Sequence, residues 1–156
     1  MKFATIVAAA GVANAAKSDF PSQDSFHAYC AMTHTIKQDC QNVYPVIEST
    51  IKNGFADPSK GDYALKEDGL NDYVWATRTT PVKKYVDDVL FEFVSSSEGC
   101  QVNMKSKSET LSYYDYSTNY CNMYNVIRET FGVTFGDVTV SNCKFPASDL
   151  ATCDTY

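Results

Sequence analysis

YVWATRTTPVKKYVDDVLFEF, residues 73–93, holds two runs in which aromatic and β-branched residues alternate with polar ones, separated at Pro81. A period of two is the mark of half-buried β-strands. The first strand, over 72–80, sets Tyr73, Trp75 and Thr77 opposite Val74, Ala76 and Arg78. The second, over 86–94, sets Val89, Phe91 and Phe93 on one face and Asp88, Leu90 and Glu92 on the other. Pro81 cannot donate to a strand ladder and ends the first run.

The same alternation extends outward. Residues 61–67 place Tyr63 and Leu65 against Asp62 and Lys66 ahead of an Asp68-Gly69 turn, and residues 100–108 place Val102 and Met104 against Lys105 and Lys107. One wall of the resulting sheet is apolar. The charged set Lys66, Arg78, Asp88, Glu92, Lys105 and Lys107 reads as a ladder of cross-strand ion pairs facing water. Before these strands, Val43, Ile47 and Ile51 recur at helical spacing with Val46 beside them. That helix stops at Gly54, and Pro45 must lie in its first turn or kink it. A first helix over 24–36 follows from the spacing of Phe26, Tyr29, Cys30, Thr33 and Ile36. After the strands, Asp115 or Ser117 caps a helix with a Met123, Ile127 and Phe131 stripe ending at Gly132. A last strand or hairpin over 133–143 precedes a polar tail. The order implies an α+β fold of two layers, an antiparallel β-sheet of about five strands with helices packed on one face, disulfide-stabilised.

Residues 1–16, MKFATIVAAAGVANAA, have the basic start, short apolar run and small-residue end of a signal peptide. Its removal leaves residues 17–156 as a single domain, secreted or held along the secretory route, with residues 17–23 as a loose lead-in. No later run is long enough for a transmembrane segment. Without Lys2 the charge is 12 − 19 = −7, which disfavours nucleic acid as a partner. Six cysteines, Cys30, Cys40, Cys100, Cys121, Cys143 and Cys153, in an exported chain imply three disulfides, with no metal site and no cofactor expected. In an up-and-down meander Cys40 and Cys100 share one pole, and Cys121 and Cys143 the other. This favours those two pairs with Cys30–Cys153 as the remainder; a local Cys143–Cys153 bridge is the rival.

The run KSKSETLSYYDYSTNYCNMYNVI, 105–127, joins the fourth strand to the second helix and carries five tyrosines. Together with 73–93 it resembles the uncharacterised domain-of-unknown-function 1499 family, over roughly residues 60–131. The matching residues are Asp87, Asp88, Lys105, Ser106, Lys107, Ser108, Asp115 and Asn119. This chain has lysines where that family usually has arginines, and it adds cysteines. The resemblance implies a shared fold and a candidate site, in a secreted, disulfide-containing branch, and no activity.

The site expected at the tyrosine-rich junction comprises Arg78, Lys105, Lys107, Tyr114, Asp115, Tyr116 and Asn119. Aromatic walls with a few convergent polar groups suit a non-catalytic binding module for a small polar or sugar-like ligand or an extracellular partner protein. The bland alternative is that the tyrosines cover the sheet end and the polar groups cap the helix. A structural or matrix protein is one functional alternative. The second is an acid/base enzyme using Asp115 and Tyr116, for which Asp87 and Asp88, adjacent in a strand, cannot form a dyad. His27 and His34 are more easily read as solvent-facing than catalytic. No G-x-S-x-G, H-E-x-x-H or phosphate-binding glycine motif occurs.

Overall fold

A computed structural model describes residues 17–156; the expected signal peptide lies outside the described residues. The elements are β1 (Tyr29–Ile36), α1 (Cys40–Asn53), β2 (Asp62–Gly69), β3 (Tyr73–Thr79), β4 (Val86–Ser96), β5 (Gly99–Ser108), α2 (Thr118–Phe131), β6 (Thr139–Cys143) and α3 (Leu150–Thr155). The six strands form one antiparallel sheet in the order β2-β3-β4-β5-β1-β6. The fold class is therefore α+β as expected, with one strand more than expected.

Alternation decides which wall is buried. Val74, Ala76, Val89, Phe91, Phe93, Val102 and Met104 all point to the side covered by the helices. There they meet Val43, Ile47 and Ile51 of α1 and Met123 and Ile127 of α2, the stripes read from the sequence. Both helices end where expected, at Gly54 and Gly132, each with a positive φ that an L side chain adopts only with strain. Pro45 is in the second turn of α1 rather than the first. Its missing N–H leaves the Gln41 carbonyl without a helical donor.

The helix expected over 24–36 is a strand. YCAMTHTI also satisfies a period of two, with Cys30, Met32 and Ile36 buried, and pairing on both edges, to β5 and β6, outweighs a short helical pattern. The charge ladder needs correction at three residues, because Asp88 and Lys107 are buried rather than facing water and Arg78 is not on the outer wall. Lys66 pairs with Asp88 and Lys105 with Glu92, each at 2.7 Å, on the outer wall, but Arg78 shares the parity of Val74 and Ala76 and points inward. The outer wall is not wholly polar either. Tyr73, Trp75 and Leu90 form a small apolar cluster there under Phe20, whose ring centroid is 5.4 Å from that of Trp75. The lead-in is thus a strap, also tied by Lys17–Asp72 and by Lys107, which donates to the Ser22 carbonyl and the Asp24 carboxylate. Lys107 and His27 hold the Asp24 carboxyl well below the usual carboxylate range.

The disulfides are Cys30–Cys143, Cys40–Cys100 and Cys121–Cys153. Only Cys40–Cys100 matches the expected pairing. With β1 a strand, Cys30 lies directly opposite Cys143 of β6, and the tail folds into α3, which brings Cys153 to α2. The Cys40–Cys100 bridge spans 60 residues and ties the start of α1 to the start of β5. Loop-closure entropy assigns such a bridge about 4 kcal/mol. Replacing both cysteines by alanine is expected to lower the urea-unfolding free energy by about 2–4 kcal/mol. An unchanged midpoint would show that this bridge constrains nothing.

Candidate functional site

Beneath α2 the apolar core gives way to a polar seam. Arg78 of β3 and Asp87 of β4 are opposite one another in register, as are Asp87 and Ser108 of β5, so all three project toward the helix. From the helix side come Asn119, Asn122 and Asn125, three residues apart and all fully buried. Asn119 donates to the Ser108 hydroxyl at 3.1 Å and to Asp115 at 2.8 Å, and accepts from Ser106 at 2.7 Å. Asn122 donates to Asp87 at 2.9 Å and Ser106 at 3.1 Å, and Asn125 donates to Asp57 at 2.8 Å.

Arg78, only 1 % exposed, is the largest group in this seam. Its Nη2 donates to Asp57 at 3.1 Å and to the Ser59 hydroxyl at 2.6 Å. Gly61 is required for this fit, because a Cβ there would lie 2.3 Å from Arg78 Nε. Three buried atoms, Arg78 Nη1, Asn122 Oδ1 and Asn125 Oδ1, find no partner among the described residues.

At one end the seam opens into a cavity of about 330 Å³ between the β4 and β5 ends and the start of α2. Its walls include Tyr85, Tyr113, Tyr114 and Tyr116, and its floor includes Asp87, Ser108 and Asp115. Tyr113, Tyr114 and Tyr116 are 65 %, 59 % and 61 % exposed. The cluster continues to Phe145, 4.3 Å from Tyr114, and to Tyr156, stacked on Tyr116. The backbone aims these rings: Tyr116 and Ser117 have φ of 52° and 69°, two successive left-handed residues at the helix start. Ser117 occupies the cap position without a side-chain cap bond, and Asp115 does the capping, accepting from Ser117 N and Asn119 N. Burial pushes the Asp87 carboxyl up, against the opposing hydrogen bonds of Asn122 and Ser108 and the charge of Arg78. A wider, more open depression of about 430 Å³ shares Tyr113 and is bordered by the strap and Lys144. Among the described residues no three His, Cys, Asp or Glu side chains converge as metal ligands, and no helix is long and apolar enough to cross a membrane.

The profile of DUF1499, a protein family of unknown function, matches residues 9–130. The chain belongs to the DUF1499 family. A comparison with curated proteins finds no match. The DUF1499 match extends the resemblance read from residues 60–131 through α1 and β1. It also covers every residue of the basic-Ser-basic-Ser segment, whose alternation is now explained. As a strand, β5 turns Ser106 and Ser108 into the seam and Lys105 and Lys107 to the opposite wall.

Of the site residues read from the sequence, Tyr114, Asp115 and Tyr116 line the cavity. Arg78 and Asn119 lie in the seam behind it, and Lys105 and Lys107 are on the far side of the sheet. Sequence reasoning missed Tyr85, Ser108 and the floor position of Asp87 as pocket residues, and Asn122 and Asn125 as their support. The repeat of Asn every third residue along an otherwise apolar helix face was the available signal for the last two.

The elevated Asp87 carboxyl has a definite thermodynamic sign. Between the unfolded value and the higher folded one, the native chain binds more protons than the unfolded chain, so this group's contribution to stability falls as pH rises through that window. The stability difference between Asp87→Asn and the parent is therefore expected to move in favour of the variant as pH rises from about 4, then level off. A difference independent of pH in denaturant titrations would refute the elevation.

Proposed function

We propose that this chain is a secreted, non-catalytic binding module whose tyrosine-walled pocket takes a small polar, sugar-like ligand. The observation that carries the reading is the cavity itself, in which exposed aromatic rings surround a floor of buried, already hydrogen-bonded polar groups. Ring faces supply apolar area at little conformational cost, and a fixed polar floor sets the ligand's orientation. The signal-like residues 1–16 and the three disulfides support export. Acid/base catalysis by Asp115 and Tyr116 has weaker support, because both Asp115 oxygens are engaged in holding the start of α2.

Saturation-transfer NMR against a panel of mono- and disaccharides tests the reading. Binding is expected, weakened about tenfold by Tyr114→Ala or Tyr116→Ala, on the scale of one aromatic contact. Circular dichroism of both variants should match the parent. Saccharide signals that survive both substitutions, or their absence throughout the panel, would count against the pocket.

A further inference from the structure

We propose that the pocket selects ligands carrying an organic ammonium group, such as an amino sugar or a quaternary ammonium compound. This rests on the binding reading above and names the charge of the ligand. The first ground is an imbalance of charge. Four aspartates are buried among the described residues: Asp57, Asp87, Asp88 and Asp115. Asp57 is matched by Arg78 and Asp88 by Lys66. Asp87 and Asp115, 3 % and 8 % exposed, have no cation within ion-pair distance among the described residues, and they are the two that form the pocket floor. No Lys, Arg or His lines that pocket. Arg78, across the strand from Asp87, makes its ion pair with Asp57; a buried carboxylate without a contacting cation is costly, and a cationic ligand offsets that cost where a neutral one does not.

The second ground is the walls. Tyrosine faces carry negative potential and attract ammonium groups lying within about 6 Å of the ring centroid. This cluster already draws one. Lys144 reaches over the outer ring, its Nζ 3.1 Å from the Tyr113 centroid. Tyr85, Tyr114 and Tyr116 border the same space as the two carboxylates. An anionic ligand would face those carboxylates with no basic residue in the pocket lining to receive it. The volume, about 330 Å³, suits a molecule the size of one sugar ring or smaller.

Matched probes separate charge from shape. Calorimetric or NMR titrations at neutral pH would compare glucosamine with glucose, and choline with its neutral isostere 3,3-dimethylbutan-1-ol. The charged member of at least one pair is expected to bind about tenfold tighter or more than its neutral partner. A response confined to glucosamine assigns an amino sugar, and one confined to choline a quaternary ammonium. In Asp87→Asn, folded by circular dichroism, the gap between charged and neutral member should shrink to about threefold or less. Equal affinity of the charged and neutral members within both pairs would overturn the charge selectivity while leaving the binding module standing. An undiminished gap in Asp87→Asn would overturn the role of the floor. Silence from all four probes up to about 10 mM would overturn the ammonium proposal, and the saccharide panel then judges the pocket separately.

Discussion

A guanidinium buried between a sheet and a helix is the constraint on which this structure turns. Arg78 cannot lose its charge, so the chain around it must supply acceptors and room. The loop after α1 brings both: Asp57 and Ser59 accept, and Gly61 leaves space for the planar group. Asp57 then reaches on to Asn125 of α2, so one carboxylate links β3 to the helix layer. Such a pair contributes little net stability relative to a well-packed apolar substitute, yet leaving either partner alone is costly. Its effect is to define one seating of α2 on the sheet.

From that seating the pocket follows. With Asn125 fixed, Asn122 falls opposite Asp87 and Asn119 opposite Ser106 and Ser108. The start of α2 is thereby held against the ends of β4 and β5. Asp115 closes the arrangement by accepting from Asn119 and from the helix backbone, which turns Tyr114 and Tyr116 outward around the cavity mouth. The disulfides frame the same region. Cys121–Cys153 pins α3 beside α2, and Asn125 also donates to the Cys153 carbonyl.

Much of the fold was legible because the strands are strongly periodic. Val89, Phe91 and Phe93 could face only the core, and the two helix stripes left no other wall for them. Other features had two consistent readings. Residues 26–36 satisfy helical and strand periods alike, and only the free edges of β5 and β6 decide between them. That one ambiguity also misdirected two of the three disulfides. Charge alone assigns Arg78 to water, although its parity with Val74 and Ala76 places it inside; a long-range carboxylate at Asp57 outweighs the preference of a lone charge for solvent. In the site, the aromatic residues stood out by composition. Their polar support did not, because asparagines on a helix look like surface until the facing sheet residues are known to be Asp87, Ser106 and Ser108.

A double-mutant cycle at Arg78 and Asp57 tests the central interaction most directly. Arg78→Met and Asp57→Ala would be compared singly and together by urea unfolding. Each single substitution strands a buried charge and should cost about 3–5 kcal/mol, while the double variant, with neither charge left, should lose clearly less than the sum. Losses that simply add would mean that the two groups act independently and that the buried pair does not seat α2 on the sheet.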